Sequence, residues 1–368
     1  MKLKELIEQL TIYSAQGNVN VDITGISMNS REVKQGDLFV CISGIPGLQE
    51  DRHPYIDHAI KAGAVAVIVE RDVSANGKVP TIKVPNARFA LALLSSHFYG
   101  YPSQELKLIG VTGTNGKTTT SHIIEFILGY ALYRTGLMGN LGTKIGNTIR
   151  KSNLNTQEPH KLQANLARMK ECSIDYCVME VTSQGLDMGR VIGCEFRTAV
   201  FTNLTGDHLD YHGTMDNYLM AKASLFARMG NTYSSDPSKQ KFAILNVDDP
   251  ASDVFHNLTT AQVITYGINH SADVMATDIQ LTTKGTKFRL VSFAGMETIE
   301  YNMIDAFNVY NVLAAIATAL AEQIPLRVIR QALSEYTNVT GRMEIIDASQ
   351  DSLVNVDYAH TTDALKNR

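Results

Sequence analysis

The chain has 368 residues, 44% of them hydrophobic and 19% charged, with 33 Lys and Arg against 37 Asp and Glu for a net charge of −4. At roughly 100–200 residues per domain this length accommodates two or three domains with cores of their own, and the even charge balance excludes both a nucleic-acid-binding basic surplus and a disordered acidic block. The four cysteines (Cys41, Cys172, Cys177, Cys194) form no CxxC pair, the amino terminus lacks the apolar core of a signal peptide, and no run approaches the 18 or so apolar residues of a membrane span. Secreted, fibrous and integral-membrane classes drop out, and a cytoplasmic protein with reduced thiols is expected.

In chain order, GDLFVCI at 36–42 and AVAVIV at 64–69 predict short strands, with a helix around Tyr55–Ala62 between them and another over Ala87–Phe98. The bend Tyr101-Pro102-Ser103 closes a first domain, residues 1–102, because proline fixes φ and disfavours helix in the residue before it. Leu106–Val111 predicts the strand that opens a second unit, followed by a glycine-rich turn and a long helix, Lys117–Leu132. Asp175–Val181, Arg197–Asn203 and Phe242–Val247 predict further strands with helices between them, the pattern of a doubly wound, mostly parallel sheet. Residues 276–301 alternate polar with apolar and carry turn glycines at Gly285 and Gly295, which predicts a small antiparallel meander appended to that sheet. Helices Asn308–Glu322 and Leu326–Tyr336, separated by Pro325, bring the second domain, residues 103–339, to its end. The expected fold class is therefore α/β: a small amino-terminal α/β domain, a central doubly wound domain, and the start of a third α/β domain over 340–368.

The sharpest local signal is GVTGTNGKTTT from Gly110 to Thr120, where an apolar strand runs into glycines and Lys117-Thr118 opens a helix. Glycine lets the backbone curl so that several N–H groups point inward, and the helix amino terminus adds positive partial charge. Lys117 can reach β- and γ-phosphates and the Thr118 hydroxyl can sit on Mg²⁺. The spacing departs from the strict G-x-x-x-x-G-K-[ST] pattern, since Val111 stands five residues before Gly116, and glycines serving turn geometry alone are the plainer alternative. Glu180 closes the strand CVMEV, a place from which a carboxylate projects into the ligand crevice of a doubly wound sheet. After another apolar strand comes TNLTGDHLDYHG, Thr202 to Gly213, whose Asp-His start could be no more than a capped helix. Carboxylate and imidazole ligands near a phosphate-binding turn suit the Mg²⁺ that ATP chemistry needs, and Glu180 and His208 are the candidates.

The string Gly113-Thr114-Asn115-Gly116-Lys117-Thr118-Thr119 resembles the ATP-binding signature of the Mur ligase family, the ADP-forming amide-bond ligases of peptidoglycan assembly, and the Asp-His-Leu-Asp-Tyr-His-Gly string is similar to its MurE branch. The resemblance implies ATP with two Mg²⁺ ions, Thr118, Glu180 and His208 as metal ligands, and a carbamylated lysine at Lys222 bridging to the second metal; a solvated helix lysine is the alternative there. It places Asn308 and Asn311 of FNVYNVLAA beside the adenine, although an N-cap accounts for one of them, and gives nucleotide contacts to Arg342 and Asp357. Ser30 falls in the family's uridine pocket, and Asn155, Thr156, Ser183 and Arg190 fall where the muramoyl-dipeptide binds, the planar guanidinium of Arg190 suiting a carboxylate. Thr182-Ser183-Gln184-Gly185, Gln157 and Thr362 depart from the usual pattern, the first two within the substrate contacts.

The resemblance covers essentially the whole chain. It implies an ATP-dependent ligase that adds L-lysine or meso-diaminopimelate to UDP-N-acetylmuramoyl-L-alanyl-D-glutamate through an acyl phosphate. Charge and hydropathy point to no nucleic-acid partner and no membrane insertion, a monomer is the default expectation, and the resemblance makes Lys117, His208 and Lys222 the catalytic residues. Related folyl- or polyglutamate ligases are the alternative within the fold. A non-catalytic nucleotide-binding fragment is the alternative outside it, since the chain offers only the opening of the family's third domain and is expected to ligate poorly alone.

Overall fold

The computed structural model describes residues 1–45, 47, 49–73, 77–230, 236–282, 285–337, 344–346 and 354–356. They fall into two compact units: residues 1–105 with 157–168 and 188–194, and the remainder from Leu106 onward.

The first unit contains α1 (Leu3–Ile7), β1 (Ser14–Gln16), β2 (Gly25–Ser27), β3 (Asp37–Val40), α2 (Ile56–Ala62), β4 (Ala66–Val69), β5 (Thr81–Lys83) and α3 (Ala87–Phe98). Its sheet has the order β1-β5-β4-β3-β2, parallel throughout except for β1. Every residue of β3 and β4 is buried, which is why β4 and, after Asp37, β3 read as apolar runs without alternation: a parallel strand covered on both faces has no solvent side to alternate with. Asn86 caps α3 by accepting from Phe89 N, so that helix begins where expected.

The second unit is built on β6 (Lys107–Thr112), α4 (Lys117–Tyr130), β7 (Thr135–Gly139), β8 (Gly142–Ile145) and β9 (Thr148–Arg150); in chain order α5 (Pro159–Glu171) comes next, and its residues up to Arg168 belong to the first unit. It continues through β10 (Tyr176–Glu180), α6 (Ser183–Asp187), β11 (Phe196–Phe201), α7 (Leu209–His212), α8 (Met215–Ala227), β12 (Phe242–Asn246), α9 (Ala251–Leu258) and β13 (Gln262–Gly267). The hairpins β14 (Val274–Thr282), β15 (Gly285–Ser292) and β16 (Gly295–Tyr301) follow, then α10 (Ala306–Ala321), α11 (Leu326–Glu335), β17 (Glu344–Ile346) and β18 (Val354–Val356), the last two paired with each other. Eleven strands form one sheet in the order β9-β8-β7-β10-β6-β11-β12-β13-β14-β15-β16. Its middle, β7 through β14, is parallel, and each edge is an antiparallel extension, the β14-β15-β16 edge being the expected meander.

Two parallel strands in this sheet, β7 and β13, had no counterpart among the expected ones. β7 reads TGLMG, and two glycines in five residues argue against a strand. Both are required by neighbours: a Cβ on Gly136 would stand 2.7 Å from Met169 Sδ, and one on Gly139 would overlap the Glu180 carboxylate. The cores of α4 and α10 pack on one face of this sheet, where Ile123, Ile127, Val312 and Ile316 are fully buried. Among the described residues no helix is long and apolar enough to cross a membrane, and all four cysteines are free.

Candidate active site

The carboxyl ends of β6, β10, β7 and β11 meet at one rim of the large sheet, and the chemistry-bearing strings all leave the sheet there. After β6, Gly113 (φ 150°) and Gly116 (φ 84°) turn the chain into α4. Both lie in backbone conformations that favour glycine, and space forbids a side chain as well: a Cβ would overlap Thr202 Oγ1 at Gly113 and Asn311 Oδ1 at Gly116. The loop after β11 laces the turn from the other side. Thr114 N donates to Asn203 O (2.8 Å), Asn115 N to Asn203 Oδ1 (2.9 Å), and Thr202 Oγ1 to Asn115 O (2.6 Å). Lys117 curls back over the turn, its Nζ donating to Gly113 O (2.8 Å) and Thr114 O (2.7 Å) at the positive end of the 14-residue α4. A curled glycine turn, an ammonium and a helix amino terminus together make an anion-binding concavity of the kind that takes polyphosphates.

Thr118 and Glu180, 62 positions apart in sequence, are brought together: Thr118 Oγ1 donates to Glu180 Oε1 at 3.0 Å, and Asn140 N donates to the same oxygen at 2.9 Å. Glu180 is 2% exposed. A hydroxyl and a carboxylate beside a phosphate cradle are hard oxygen donors that fit Mg²⁺, which keeps several waters and takes its remaining ligands from a nucleotide. Among the described residues no group of three or more His, Cys, Asp and Glu gathers that could hold a metal ion unaided. His208 is the N-cap of α7 in a left-handed conformation (φ 52°), with Nε2 3.3 Å from Asp207 Oδ2. Partial burial lowers its pKa and the charge of Lys117 lowers it further, while Asp207 opposes them. The result favours the neutral imidazole that a metal ligand requires.

Lys222 is no solvated helix lysine. It lies on the inner side of α8, 1% exposed, with Nζ donating to Gly113 O (2.8 Å) and 4.4 Å from the centre of the Tyr218 ring. Burial pulls its pKa well below the ordinary lysine value, and the charge of Lys117 adds to the effect. A neutral amine is the form that adds CO₂.

The two asparagines of α10 stand against the turn as a pair. Thr120 Oγ1 donates to Asn311 Oδ1 (3.2 Å), Asn311 Nδ2 to Asn308 Oδ1 (3.1 Å), and Asn308 Nδ2 to Ile304 O (3.0 Å). The N-cap explanation offered for one of them fails, because Asp305 holds the N-cap position of α10 and both asparagines lie inside the helix.

Thr156 is 1% exposed, donating through Oγ1 to Glu180 O (3.0 Å) and accepting from Thr182 N (2.9 Å), so it joins the 156 loop to the end of β10. Asn155 beside it is half-buried. Ser183 opens α6, 1% exposed, with His212 Nε2 3.0 Å from its hydroxyl. In the first unit, buried Ser30 follows β2 in a turn organised by Asn29, whose Oδ1 accepts from Arg31 N (3.2 Å). The Arg190 guanidinium, also in that unit, is 3.0 Å from Glu158 Oε1. Arg342, Asp357 and Thr362 lie outside the described residues.

Sequence reasoning did not single out Asn203, Asn140 or Tyr218, whose hydroxyl is 3.0 Å from Thr114 Oγ1. Each acts across 40 to 104 positions of chain. The only local hint was the position of Asn203 directly after an apolar strand at the crevice side.

A Mur ligase middle-domain model matches residues 111–319, and a model described as "Mur ligase family, catalytic domain" matches residues 22–99. The UDP-N-acetylmuramoyl-L-alanyl-D-glutamate–2,6-diaminopimelate ligase of Bacillus licheniformis is 46% identical over 368 residues, covering 100% of this chain and 74% of that protein. The enzyme of the same name from Geobacillus thermodenitrificans is 45% identical over 367 residues, with 74% of its length covered. A solved structure of a ligase of that name superposes with a TM-score of 0.82 at 28% identity, covering 99% of this chain and 72% of the other.

Proposed function

The chain belongs to the Mur ligase family, and we propose that it joins 2,6-diaminopimelate to UDP-N-acetylmuramoyl-L-alanyl-D-glutamate, the reaction for which its relatives are named. It is an ATP-dependent amide ligase of peptidoglycan precursor synthesis. A carboxylate is a poor electrophile, so the γ-carboxylate of D-Glu first takes the terminal phosphoryl group of ATP, releasing ADP. The amine of the incoming amino acid then attacks the acyl carbon, and phosphate leaves with the former carboxylate oxygen. Positioning and charge neutralisation supply most of such catalysis.

In this reading Gly113 to Thr119 hold the triphosphate, Lys117 supplies positive charge to the transferring group, and Asn308, Asn311, Arg342 and Asp357 take the nucleoside. Thr118, Glu180, His208 and carbamylated Lys222 would hold Mg²⁺, which when bound neutralises the charge that develops on phosphate oxygens. Ser30, Asn155, Thr156, Ser183 and Arg190 take the UDP-dipeptide. Residues 1–102 are read as the UDP-substrate domain and 103–339 as the ATP domain, of a monomer working in the cytoplasm, where both nucleotides are found.

The observation that carries the reading is the seat of Thr118 on Glu180 at the mouth of the glycine turn. A folyl- or polyglutamate ligase is disfavoured by whole-chain identity to diaminopimelate ligases. The test is phosphate release from ATP and Mg²⁺ with UDP-N-acetylmuramoyl-L-alanyl-D-glutamate and a panel of amino acids. Release only with 2,6-diaminopimelate is expected; preference for lysine, or for a folate acceptor, would overturn it.

A further inference from the structure

The four-residue helix α7 grips α6 at both ends. Tyr211 OH donates to Asp187 Oδ2 (2.7 Å) at the last residue of α6, and His212 Nε2 lies 3.0 Å from Ser183 Oγ at the first. His212 is itself fixed: its backbone N donates to His208 O (3.0 Å), its carbonyl accepts from Asn217 Nδ2 (2.9 Å), and its ring lies 5.2 Å from that of Tyr218. As whole residues His212 is 7% exposed and Ser183 1%.

A serine hydroxyl has one proton to give, and a neutral imidazole has one N–H and one bare nitrogen. Two arrangements of the 3.0 Å contact are therefore open. If Ser183 donates to a bare Nε2, its proton is spent inward and its lone pairs face outward, which repels an anion. If Nε2–H donates to Ser183 Oγ, the serine proton is turned outward, where it can meet a carboxylate. The second also uses the Nε2–H form that neutral imidazole prefers.

We infer that His212 is a positioning residue that donates Nε2–H to Ser183 Oγ and so presents the serine proton to a carboxylate of the UDP-dipeptide. The inference rests on the reading above in one respect, that Ser183 touches that substrate. It gives the Tyr-His end of the Asp-His-Leu-Asp-Tyr-His string a task separate from that of His208: setting the polarity of a substrate contact.

Binding of UDP-N-acetylmuramoyl-L-alanyl-D-glutamate, measured by calorimetry on the chain and its variants, tests this without requiring turnover. In His212→Gln the side-chain amide reaches about where Nε2 stood and still donates, so affinity should stay within about threefold of wild type. In His212→Met nothing donates, and affinity should fall roughly tenfold, the usual worth of one hydrogen bond to a charged group. Ser183→Ala should lose the same tenfold, and the double variant no more than either single one, because both remove one interaction. Affinity for Mg·ATP should hold in all four.

Wild-type affinity in His212→Met, or singly additive losses in the double variant, would overturn the inference. So would nitrogen-15 spectra of the wild-type protein showing His212 protonated on Nδ1 and bare on Nε2, a readout that stands even where a variant fails to fold. Failure of the wild-type chain to bind the UDP-dipeptide at all would instead sink the substrate reading, and the inference with it.

Discussion

Replacing Glu322 tests how the central unit is held together at the end of the sheet away from the site. Glu322 ends α10, and its carboxylate is wholly buried. Oε1 accepts from Arg197 Nε and Thr198 Oγ1, both at 3.2 Å, and Oε2 from Tyr176 OH (3.0 Å) and Lys107 Nζ (3.3 Å). These donors sit at the amino ends of β11, β10 and β6, so one carboxylate ties a helix to three strands. Glu322→Ala leaves the buried Arg197 without a counter-ion, a change that costs about 3–5 kcal/mol for a buried pair. The lower half of that range is expected, because Arg197 also donates to the carbonyls of Pro237 and Gln240, and Lys107 is 37% exposed and can turn to water. Glu322→Gln keeps the volume and half the acceptors and should cost about 1–2 kcal/mol. At about 2–4 °C per kcal/mol for a domain of this size, the alanine variant should melt roughly 6–16 °C lower. ATP affinity should not change, since β6 separates the cluster from the glycine turn by about 20 Å at 3.3 Å per residue. Urea unfolding and calorimetric ATP titration decide the matter. An alanine variant within 1 kcal/mol of wild type, or one of native stability that no longer binds ATP, would refute the reasoning.

Lys117→Met should lower ATP turnover at least a thousandfold with the melting temperature held, and phosphate release close to wild type would remove Lys117 from the phosphates. In Gly116→Ala the new Cβ meets Asn311 Oδ1 at a φ of 84°, so roughly 1–3 kcal/mol of stability and most nucleotide affinity should go, as read by unfolding and titration; a neutral result would mean that the turn relaxes freely. Wild-type activity should rise when bicarbonate is restored to CO₂-depleted buffer, whereas Lys222→Ala should be inactive and indifferent to it; a bicarbonate-independent wild type argues against the carbamate. Burial pushes the His160 pKa down to about 4, so the unfolded chain takes up the proton first on acidification. Its contribution is complete above pH 6.5 and drains away as pH falls towards 4, which makes wild type lose stability faster than His160→Gln across that window in denaturant titrations; equal slopes would show the ring to be charged when folded.

What the sequence made legible follows from where each signal is stored. Strands β3, β4, β6, β10 and β12 are buried throughout or nearly so, and their apolar runs announce them without help from the rest of the chain. β7 could not be read that way, because its glycines answer to Met169 and Glu180, whose nearness only the completed sheet reveals. The site divides along the same line. The glycine turn is a local string and was read from it, whereas Tyr218, 104 positions from Thr114, and Asn203, 88 from Asn115, carry no mark of their destination. Lys222 shows the difference most sharply. In sequence it is one lysine among alanines on a helix, where solvation is the commonest outcome. In the fold its amine and that of half-buried Lys117 both lie within 2.8 Å of the Gly113 carbonyl oxygen, with Lys222 itself buried and the charge of Lys117 opposing its own. Burial disfavours the charged form of Lys222 and the nearby charge of Lys117 adds to the effect, so the arrangement favours loss of a proton from the more buried amine. On the proposed reading both needs are met by anions, phosphate at Lys117 and a carbamate on Lys222, and the mutual repulsion of the lysines prepares the second to form.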